Sequence, residues 1–478
     1  MSKDIKSITK AVSAIIVIVV IVIAGAGGYY YYSTTIKKPT PSSPPTQLSG
    51  SITVLAQSGY NDAALKQIAA NFMASHPNTT VTIDDVPYSS EVTTVLTAEK
   101  ANQSIYDIIT TSSTGFIGPL GPYLLDLSPY LQNSTYFPPS WNASDVIQSL
   151  YQLYTENGEI LAIPMTASTF LLYYRPSYFT NATNQQEFRA QYGYPLPNPG
   201  NTTLTLQQLV DVATFFNGAH GSQHGIVLMS DSGDDDMIQT YVALLDSARF
   251  QASSSMGPVT TPYGAIFTST GQPIINTTVG ENVLRAYLQL VNVSDEPLVA
   301  SFETAPNLFA SGGAAMMIYQ NIPALYLSNP NRSNITNDWA VAPSFPGGYS
   351  NLGGEGFSIM KNTKNLPLAL AFLEYMTSPN ESVYFTTIDS LMPFRYSGFA
   401  SFEASNPTYQ VALQAIASNL ASSVAGYSNA PYWTQIATNF AGQVPYIYNS
   451  GHFNNESIVN GANTIEQDIY NAMSSSGG

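Results

Sequence analysis

The sequence predicts an α/β fold that follows a hydrophobic N-terminal segment. From Ser51 onward, short apolar strands alternate with helices, and the order strand, helix, strand, helix, strand implies a parallel sheet with right-handed crossovers. A length of 478 residues favours two or three domains over a single one. The hydrophobic content of 44%, with 12% aromatic residues, supplies enough apolar side chains for folded cores.

The composition of the chain limits its partners. Charged residues make up only 10% of the sequence and the formal net charge is -16. The sequence shows no basic stripe that could bind phosphates, so we expect no nucleic-acid partner. Amides and hydroxyls replace the missing charges and keep their hydrogen-bonding character at every pH, which suits an acidic exterior. A chance bias of composition or a glycosylated surface is the alternative. The absence of cysteine excludes disulfides, thiolate metal sites and a lipid-modified cysteine.

The N-terminus is predicted to enter the membrane. Residues 1–10 form a short basic leader, and residues 11–32 form an apolar helix, long enough to cross a bilayer, that ends in a tyrosine cluster. The positive leader places the N-terminus in the cytoplasm and the rest of the chain outside. The segment is an uncleaved anchor, a secretory signal cut after Ala26, or a pilin-type (class III) signal cut between Lys10 and Ala11. We favour the third, because the basic stretch ends directly at Lys10.

A stalk and many glycosylation sequons follow the apolar segment. Residues 33–49 are rich in Pro, Ser and Thr, which keep a chain extended and solvated, and therefore read as a semi-rigid stalk. About a dozen Asn-x-Ser/Thr sequons lie beyond it, and their density fits an outward-facing glycoprotein. They include Asn78, Asn133, Asn142, Asn276, Asn334 and Asn455.

The soluble part is predicted element by element. Strands are expected at 51–56, 81–86 and 106–111, and helices near 92–101, 206–216, 238–246 and 366–377. Asp62 is expected to cap a further helix, which buries Leu65 and Phe72 on one face. Asn157-Gly158 between apolar runs indicates a two-residue hairpin. The region after Phe402 is expected to be mainly helical.

Five motifs, in this order, resemble the family of extracellular solute-binding proteins that includes maltose- and maltodextrin-binding proteins. They are residues 158–164, 171–175, 309–316, 353–354 and 391–395. Arg175 departs from the asparagine that the family usually has, and residues 319–323 lack the tryptophan with which many relatives stack on sugar. The basic leader that ends at Lys10 is similar to that of archaeal sugar-binding proteins.

The resemblance implies a two-lobed, periplasmic-binding-protein-like fold with three interlobe crossovers. The crossovers would lie near residues 164–169, 353–359 and 393–397. Lobe one would combine residues 50–164 with 358–393, and lobe two would combine 168–352 with 400–478. The ligand would sit in the cleft between the lobes, and hinge closure would bury it.

The function implied by the resemblance is transport rather than catalysis. The protein would capture a small sugar, either a mono- or an oligosaccharide, and deliver it to the permease subunits and ATPase of an ABC importer. It would do so at the extracellular face of the membrane, anchored by its N-terminal helix. We expect no enzymatic activity and no cofactor. The alternatives are the same fold binding an oligopeptide or a polyol, and a cell-surface structural or adhesion protein.

Candidate ligand contacts come from two arguments. Because ligands of parallel sheets lie beyond the carboxyl ends of the strands, Gln57, Tyr60, Thr111 and Thr114 are expected at the cleft. The family pattern adds further positions, which are Thr166, Ser168, Gln320, Asn321, Gly354, Glu355, Arg395 and Trp433. Trp433 matches a position where maltodextrin binders carry a stacking aromatic residue.

Other interpretations of these candidates stay open. Tyr60 would otherwise be an ordinary surface aromatic residue, Glu355 would pair with a lysine or cap a turn, Arg395 would clamp a crossover and Trp433 would belong to the core. No metal is expected, because His220 and His224 lie in a glycine-rich stretch rather than on a helix. No nucleophile elbow, Walker loop or dinucleotide fingerprint is present.

Overall fold

The computed structural model describes most of the chain after residue 47. The described ranges are 48–233, 235–251, 264–268, 270–321, 327–389, 391–405, 410–421, 423–425, 432–451 and 453–475. The basic leader, the apolar segment 11–32 and the proposed cleavage site at Lys10 and Ala11 therefore lie outside the described residues, as does the stalk up to residue 47. Within the described ranges, no helix has both the length and the apolar character that a membrane crossing requires.

Strands and helices alternate through the first half of the chain, and helices dominate its end. The strands are β1 (Gly50–Gln57), β2 (Thr79–Val86), β3 (Ile108–Ser112), β4 (Thr155–Glu156), β5 (Glu159–Ile160), β6 (Ile163–Pro164), β7 (Ser168–Tyr174), β8 (His224–Leu228), β9 (Ala314–Gln320), β10 (Ala340–Val341), β11 (Ser350–Gly353), β12 (Glu355–Ile359) and β13 (Ser423–Ala425). Helices from the first half are α1 (Asp62–Ser75), α2 (Tyr88–Lys100), α3 (Ile117–Leu120), α4 (Ser128–Leu131), α5 (Pro176–Thr180), α6 (Ala182–Tyr192) and α7 (Leu206–Phe216). Those that follow are α8 (Asp236–Gln251), α9 (Thr278–Asn292), α10 (Ala305–Ser311), α11 (Leu366–Met376), α12 (Val383–Thr387), α13 (Tyr396–Ser405), α14 (Gln410–Ala421), α15 (Trp433–Asn449) and α16 (Asn455–Ser475). Short 3₁₀ segments include Gln148–Tyr154.

Lobe one is built on a sheet with strand order β2-β1-β3-β12-β6. Strand β1 pairs in parallel with β2 and β3, as the strand–helix pattern predicts, whereas β12 pairs antiparallel with β3 and β6. Helix α1 packs on this sheet through a buried face that includes Leu65 and Phe72, so the predicted apolar stripe is confirmed. The predicted capping role of Asp62 is wrong: Asp62 lies in the first helical turn and accepts a hydrogen bond from the amide of Gly59.

Lobe two is built on a second sheet with order β13-β11-β7-β9-β8, with β10 paired to β7. The motif 309–318 forms the predicted passage from α10 into β9. The chain passes from the first sheet to the second between β6 and β7, and returns between β11 and β12. These two links lie side by side, because the amides of Met165 and Thr166 both donate to the carbonyl of Glu355.

The return link depends on a glycine. Replacing Gly354 with alanine is expected to lower the free energy of unfolding by about 2–3 kcal/mol. Gly354 has a φ of +143°, and a Cβ atom there would lie 2.3 Å from the backbone oxygen of Thr166. Urea unfolding measures the effect. Gly442→Ala is the matched control, because its Cβ would meet nothing within 4 Å. Equal stability of the two variants would contradict this role.

Candidate functional site

Polar side chains of lobe one gather where β1 and β3 end and β12 begins. The hydroxyl of Tyr60 donates to Oε2 of Glu355 over 2.6 Å, although the two residues are 295 positions apart. A side-chain hydrogen bond from Ser112, at the end of β3, also reaches Glu355. Tyr60 and Glu355 are both partly exposed. The structure therefore brings together two of the predicted contacts in one accessible cluster.

A second carboxyl group lies behind this cluster. Gln57, the last residue of β1, donates from Nε2 to Oε2 of Glu91 on α2 over 3.0 Å. Glu91 is 0% exposed. Asn61 fixes the backbone of Gln57, because its Oδ1 accepts from the backbone N–H of Gln57 over 2.9 Å. Gln57 is thus held in one orientation at the floor of the cluster.

Burial favours the protonated form of both carboxyl groups. Burial raises the pKa of Glu355 to about 7, although hydrogen bonds from Tyr60 and Ser112 oppose the shift. Burial also raises the pKa of Glu91 well above its ordinary value, and the nearby charge of Glu355 adds to the effect. Burial and the neighbouring Glu355 likewise raise the pKa of the Tyr60 hydroxyl. The cluster is therefore rich in neutral hydrogen-bonding groups.

Lobe two presents its own polar edge beside the links between the sheets. The hydroxyl of Ser168 donates to Oε1 of Gln320 over 2.8 Å, and Nε2 of Gln320 donates to Oε1 of Gln239 over 3.0 Å. Ser168 and Gln320 are partly exposed. Asn321 is fully buried and donates to the carbonyl of Ala167 over 2.8 Å, so its side chain fixes the first link.

Trp433 lies at a contact between the lobes. It begins α15, which packs on α8 and α16 of lobe two, and its side chain is 2% exposed. A Cβ atom on Gly115, which follows β3 of lobe one, would lie 2.7 Å from Cδ1 of Trp433. The indole therefore occupies the space between the two halves of the protein.

Four further predicted residues are buried and bond to the surrounding structure. Thr111 is buried in β3 and donates to the hydroxyl of Ser358 over 2.8 Å. Thr166 is buried and donates to the carbonyl of Met392 over 2.9 Å. The amide of Thr114, also buried, donates to the hydroxyl of Ser112. The fourth residue, Arg395, is described next.

Arg395 acts within lobe one. Its guanidinium is 1% exposed and donates twice to the carbonyl of Thr377, over 2.9 and 2.7 Å, and once to the carbonyl of Asn142. It also pairs with Asp145 at 3.4 Å and lies over the ring of Trp141. This environment matches the alternative of a structural clamp, and it leaves Arg395 outside the accessible cluster.

The sequence analysis did not predict three side chains that lie near the site. Glu91 is one acidic residue in a helix, Tyr154 is one of 32 tyrosines and Gln239 lies on α8, so none belongs to a recognisable motif. Only packing of distant segments brings them to the site. Among the described residues, no three His, Asp or Glu side chains are close enough together to hold a metal ion. His220 and His224 instead approach Glu187 and Asp295.

The structure has two α/β lobes that are joined by adjacent links and that face each other through polar side chains. This arrangement is that of the two-lobed binding proteins. The comparison with protein families is consistent with this class. The chain belongs to the family of bacterial extracellular solute-binding proteins, whose model matches residues 56–381. No curated protein matches the sequence significantly.

Solved structures share the fold at low sequence identity. MalE3 of T. maritima bound to maltose has 18% identity and a TM-score of 0.66, over 88% of this chain and 99% of that one. An ABC-transporter solute-binding protein of Agrobacterium radiobacter in complex with ribitol has 17% identity and a TM-score of 0.67, over 88% and 100%. The GacH receptor of Streptomyces glaucescens, solved unliganded and with acarbose, has 19% identity and a TM-score of 0.66, over 89% and 99%.

Proposed function

We propose that the protein captures a small sugar or a related polyol between its lobes and delivers it to an ABC importer. The observation that carries the proposal is the partly exposed Tyr60–Glu355 pair of lobe one, beside which lobe two presents Ser168 and Gln320. Hydroxyls, amides and carboxyl groups supply the paired donors and acceptors that a ring of sugar hydroxyls needs. The ligands named for MalE3, the ribitol complex and GacH, all rich in hydroxyl groups, support the same ligand class.

In this proposal the two lobes close on the solute like a clamp. Contacts that form only in the closed state drive closure, and the importer recognises the closed, loaded protein. Three crossovers form the hinge, the third near residues 393–397. Trp433 supplies an apolar plane for the C–H face of the sugar. The floor of the cleft is formed by Gln57, Thr114 and the link at Gly354. The backbone around it is held by Thr111, Thr166, Asn321 and Arg395.

The placement of the protein completes the proposal. The apolar segment 11–32 tethers it to the outer face of the membrane after cleavage between Lys10 and Ala11, as in archaeal pilin-type signals. The sequons carry glycans on the outer surface. The side chains of Asn78, Asn142, Asn276, Asn334 and Asn455 are exposed, which supports their availability for modification.

A screen of solutes tests the proposed function. Thermal-shift and calorimetric titrations with glucose, maltose, ribitol and a tetrapeptide are expected to show binding of at least one of the three polyhydroxyl solutes, with a Kd of about 1 μM or tighter and stabilisation that follows the free ligand concentration. Binding of the tetrapeptide alone would favour the oligopeptide alternative. Absence of any binding across sugars, polyols and peptides would contradict solute capture and favour a structural role at the cell surface.

A further inference from the structure

A relay of three side-chain hydrogen bonds joins the start of α8 to the polar edge of lobe two. The hydroxyl of Ser168 donates to Oε1 of Gln320 over 2.8 Å, and Nε2 of Gln320 donates to Oε1 of Gln239 over 3.0 Å. Nε2 of Gln239 then donates to Oδ1 of Asp235. Gln239 is 9% exposed, whereas Ser168 and Gln320 are partly exposed. The relay therefore ends in side chains that a solute can reach.

The exposed end of the relay lies beside the polar cluster of lobe one. In the second sheet Ser168 pairs with Gly353, two residues before Glu355. Tyr319 of β9 lies within electrostatic range of Tyr60. The last side chains of the relay are thus close to the Tyr60–Glu355 pair, at the cleft that the proposed function assigns to the solute.

Asp235 sets the direction of every hydrogen bond in the relay. It directly precedes α8, and its carbonyl accepts from the backbone N–H of Gln239, which is the position of a helix N-cap. The partial positive charge of a helix N-terminus stabilises a carboxylate there. A carboxylate only accepts hydrogen bonds, so Gln239 must turn its NH₂ group toward Asp235 and its oxygen toward Gln320. Gln320 must then turn its own oxygen toward Ser168.

This direction determines what the edge of lobe two offers to a solute. The hydroxyl hydrogen of Ser168 is held by Gln320, so the Oγ atom presents only its lone pairs. Gln320 uses one of its two side-chain N–H groups on Gln239, and among the described residues no acceptor takes the other. The edge therefore presents one acceptor and one donor side by side.

We propose that Asp235 and Gln239 are positioning residues that make this edge selective for a solute hydroxyl, which donates to Oγ of Ser168 and accepts from Nε2 of Gln320. The proposal rests on the proposed function and names the group that lobe two recognises. A hydroxyl both donates and accepts, whereas a carboxylate, an ether or a fluorine cannot donate and an ammonium group cannot accept. Without the anchor the relay can reverse, and Ser168 then donates to the solute instead.

Three variants separate this role from simple capping of α8. Asp235→Asn keeps the cap, because asparagine and aspartate cap helices about equally well, but an amide donates as well as accepts and so releases the direction of the relay. Gln239→Met breaks the relay and leaves the cap in place. The double variant Asp235→Asn with Gln239→Glu restores the direction, because the new carboxylate accepts from both Gln320 and the new asparagine. Glu281→Gln, which removes an acidic residue from the first turn of α9, is the matched control.

Calorimetric titrations of the full chain measure the selectivity. Glucose, maltose and ribitol are compared first, and the one that binds best is then replaced by analogues in which fluorine substitutes for one hydroxyl at a time. For wild type, fluorine at the hydroxyl that meets Ser168 is expected to weaken binding about tenfold or more, since Oγ loses its donor. Asp235→Asn and Gln239→Met are expected to reduce this penalty to about threefold or less. The double variant and the Glu281→Gln control are expected to keep the wild-type penalty.

The outcomes distinguish this inference from the proposed function. Equal penalties in wild type, Asp235→Asn and Gln239→Met would overturn the inference and leave solute capture intact. Affinity that falls by the same factor for every analogue in Asp235→Asn would show that Asp235 only caps the helix, and so would a double variant that does not regain the penalty. If neither glucose, maltose nor ribitol binds to wild type, the proposed function and the inference both fail.

Discussion

Raising the pH from 4 to 8 is expected to lower the free energy of unfolding by several kcal/mol. Burial raises the pKa of Glu355 and of Glu374 to about 7, and that of Asp389 to about 6. Each group therefore binds its proton more tightly in the folded chain than in the unfolded chain. The resulting stability is complete below about pH 4 and is lost as the pH rises through 6 and 7. For a glutamate, a change in pKa from 4.5 to about 7 corresponds to about 3 kcal/mol.

Thermal unfolding at constant ionic strength measures this effect. We expect the Tm to fall between pH 4 and 8 by roughly 3 °C as Glu355 ionises, and by less for Glu374 and Asp389, whose charges water partly screens. Glu374→Gln, which removes one ionisation beside Arg395, is expected to reduce the slope, whereas Glu456→Gln, at an exposed position, is expected to keep the wild-type slope. A protein that becomes more stable as the pH rises from 4 to 8 would show that these carboxyl groups are already ionised in the fold.

The sequence predicted an element correctly where one short segment contains both the apolar pattern and the capping or turn residues that end it. Helix α7 has the predicted bounds, because Thr205 and Gln208 form a capping box directly before the apolar residues. The Asn157-Gly158 turn likewise joins β4 to β5, and both residues have the positive φ that such a turn requires. Helix α8 extends beyond its predicted range 238–246 at both ends, because the added residues at 236–237 and 247–251 alternate polar and apolar side chains and do not simply continue the apolar stripe.

The site could be predicted only in part. The rule that ligands lie beyond strand ends predicted Gln57 and Tyr60 as candidates. It could not predict that Tyr60 bonds to Glu355. That contact depends on the antiparallel insertion of β12 beside β3, which no local pattern encodes. For the same reason the sequence left the role of Arg395 undecided, since its partners at Asn142 and Asp145 are some 250 residues away.

The second large effect is expected at the contact between the lobes. Replacing Trp433 with alanine is expected to weaken binding of the best uncharged solute by about 2–4 kcal/mol, or roughly 30- to 1,000-fold. The indole lies between α15 of lobe two and Gly115 of lobe one, so it contributes fully only when the lobes are closed. Its loss therefore removes both an apolar surface for the sugar and a contact that favours closure.

A matched substitution separates affinity from general destabilisation. Trp339 is partly buried in lobe two, directly before β10, and its ring lies 6.4 Å from that of Tyr173 on β7. Trp339→Ala is expected to lower the Tm and to leave affinity within about threefold of wild type. Calorimetry at pH 5, where the carboxyl groups stay protonated, compares the two variants. If Trp433→Ala binds as tightly as Trp339→Ala, the indole packs the core and takes no part in capturing the solute.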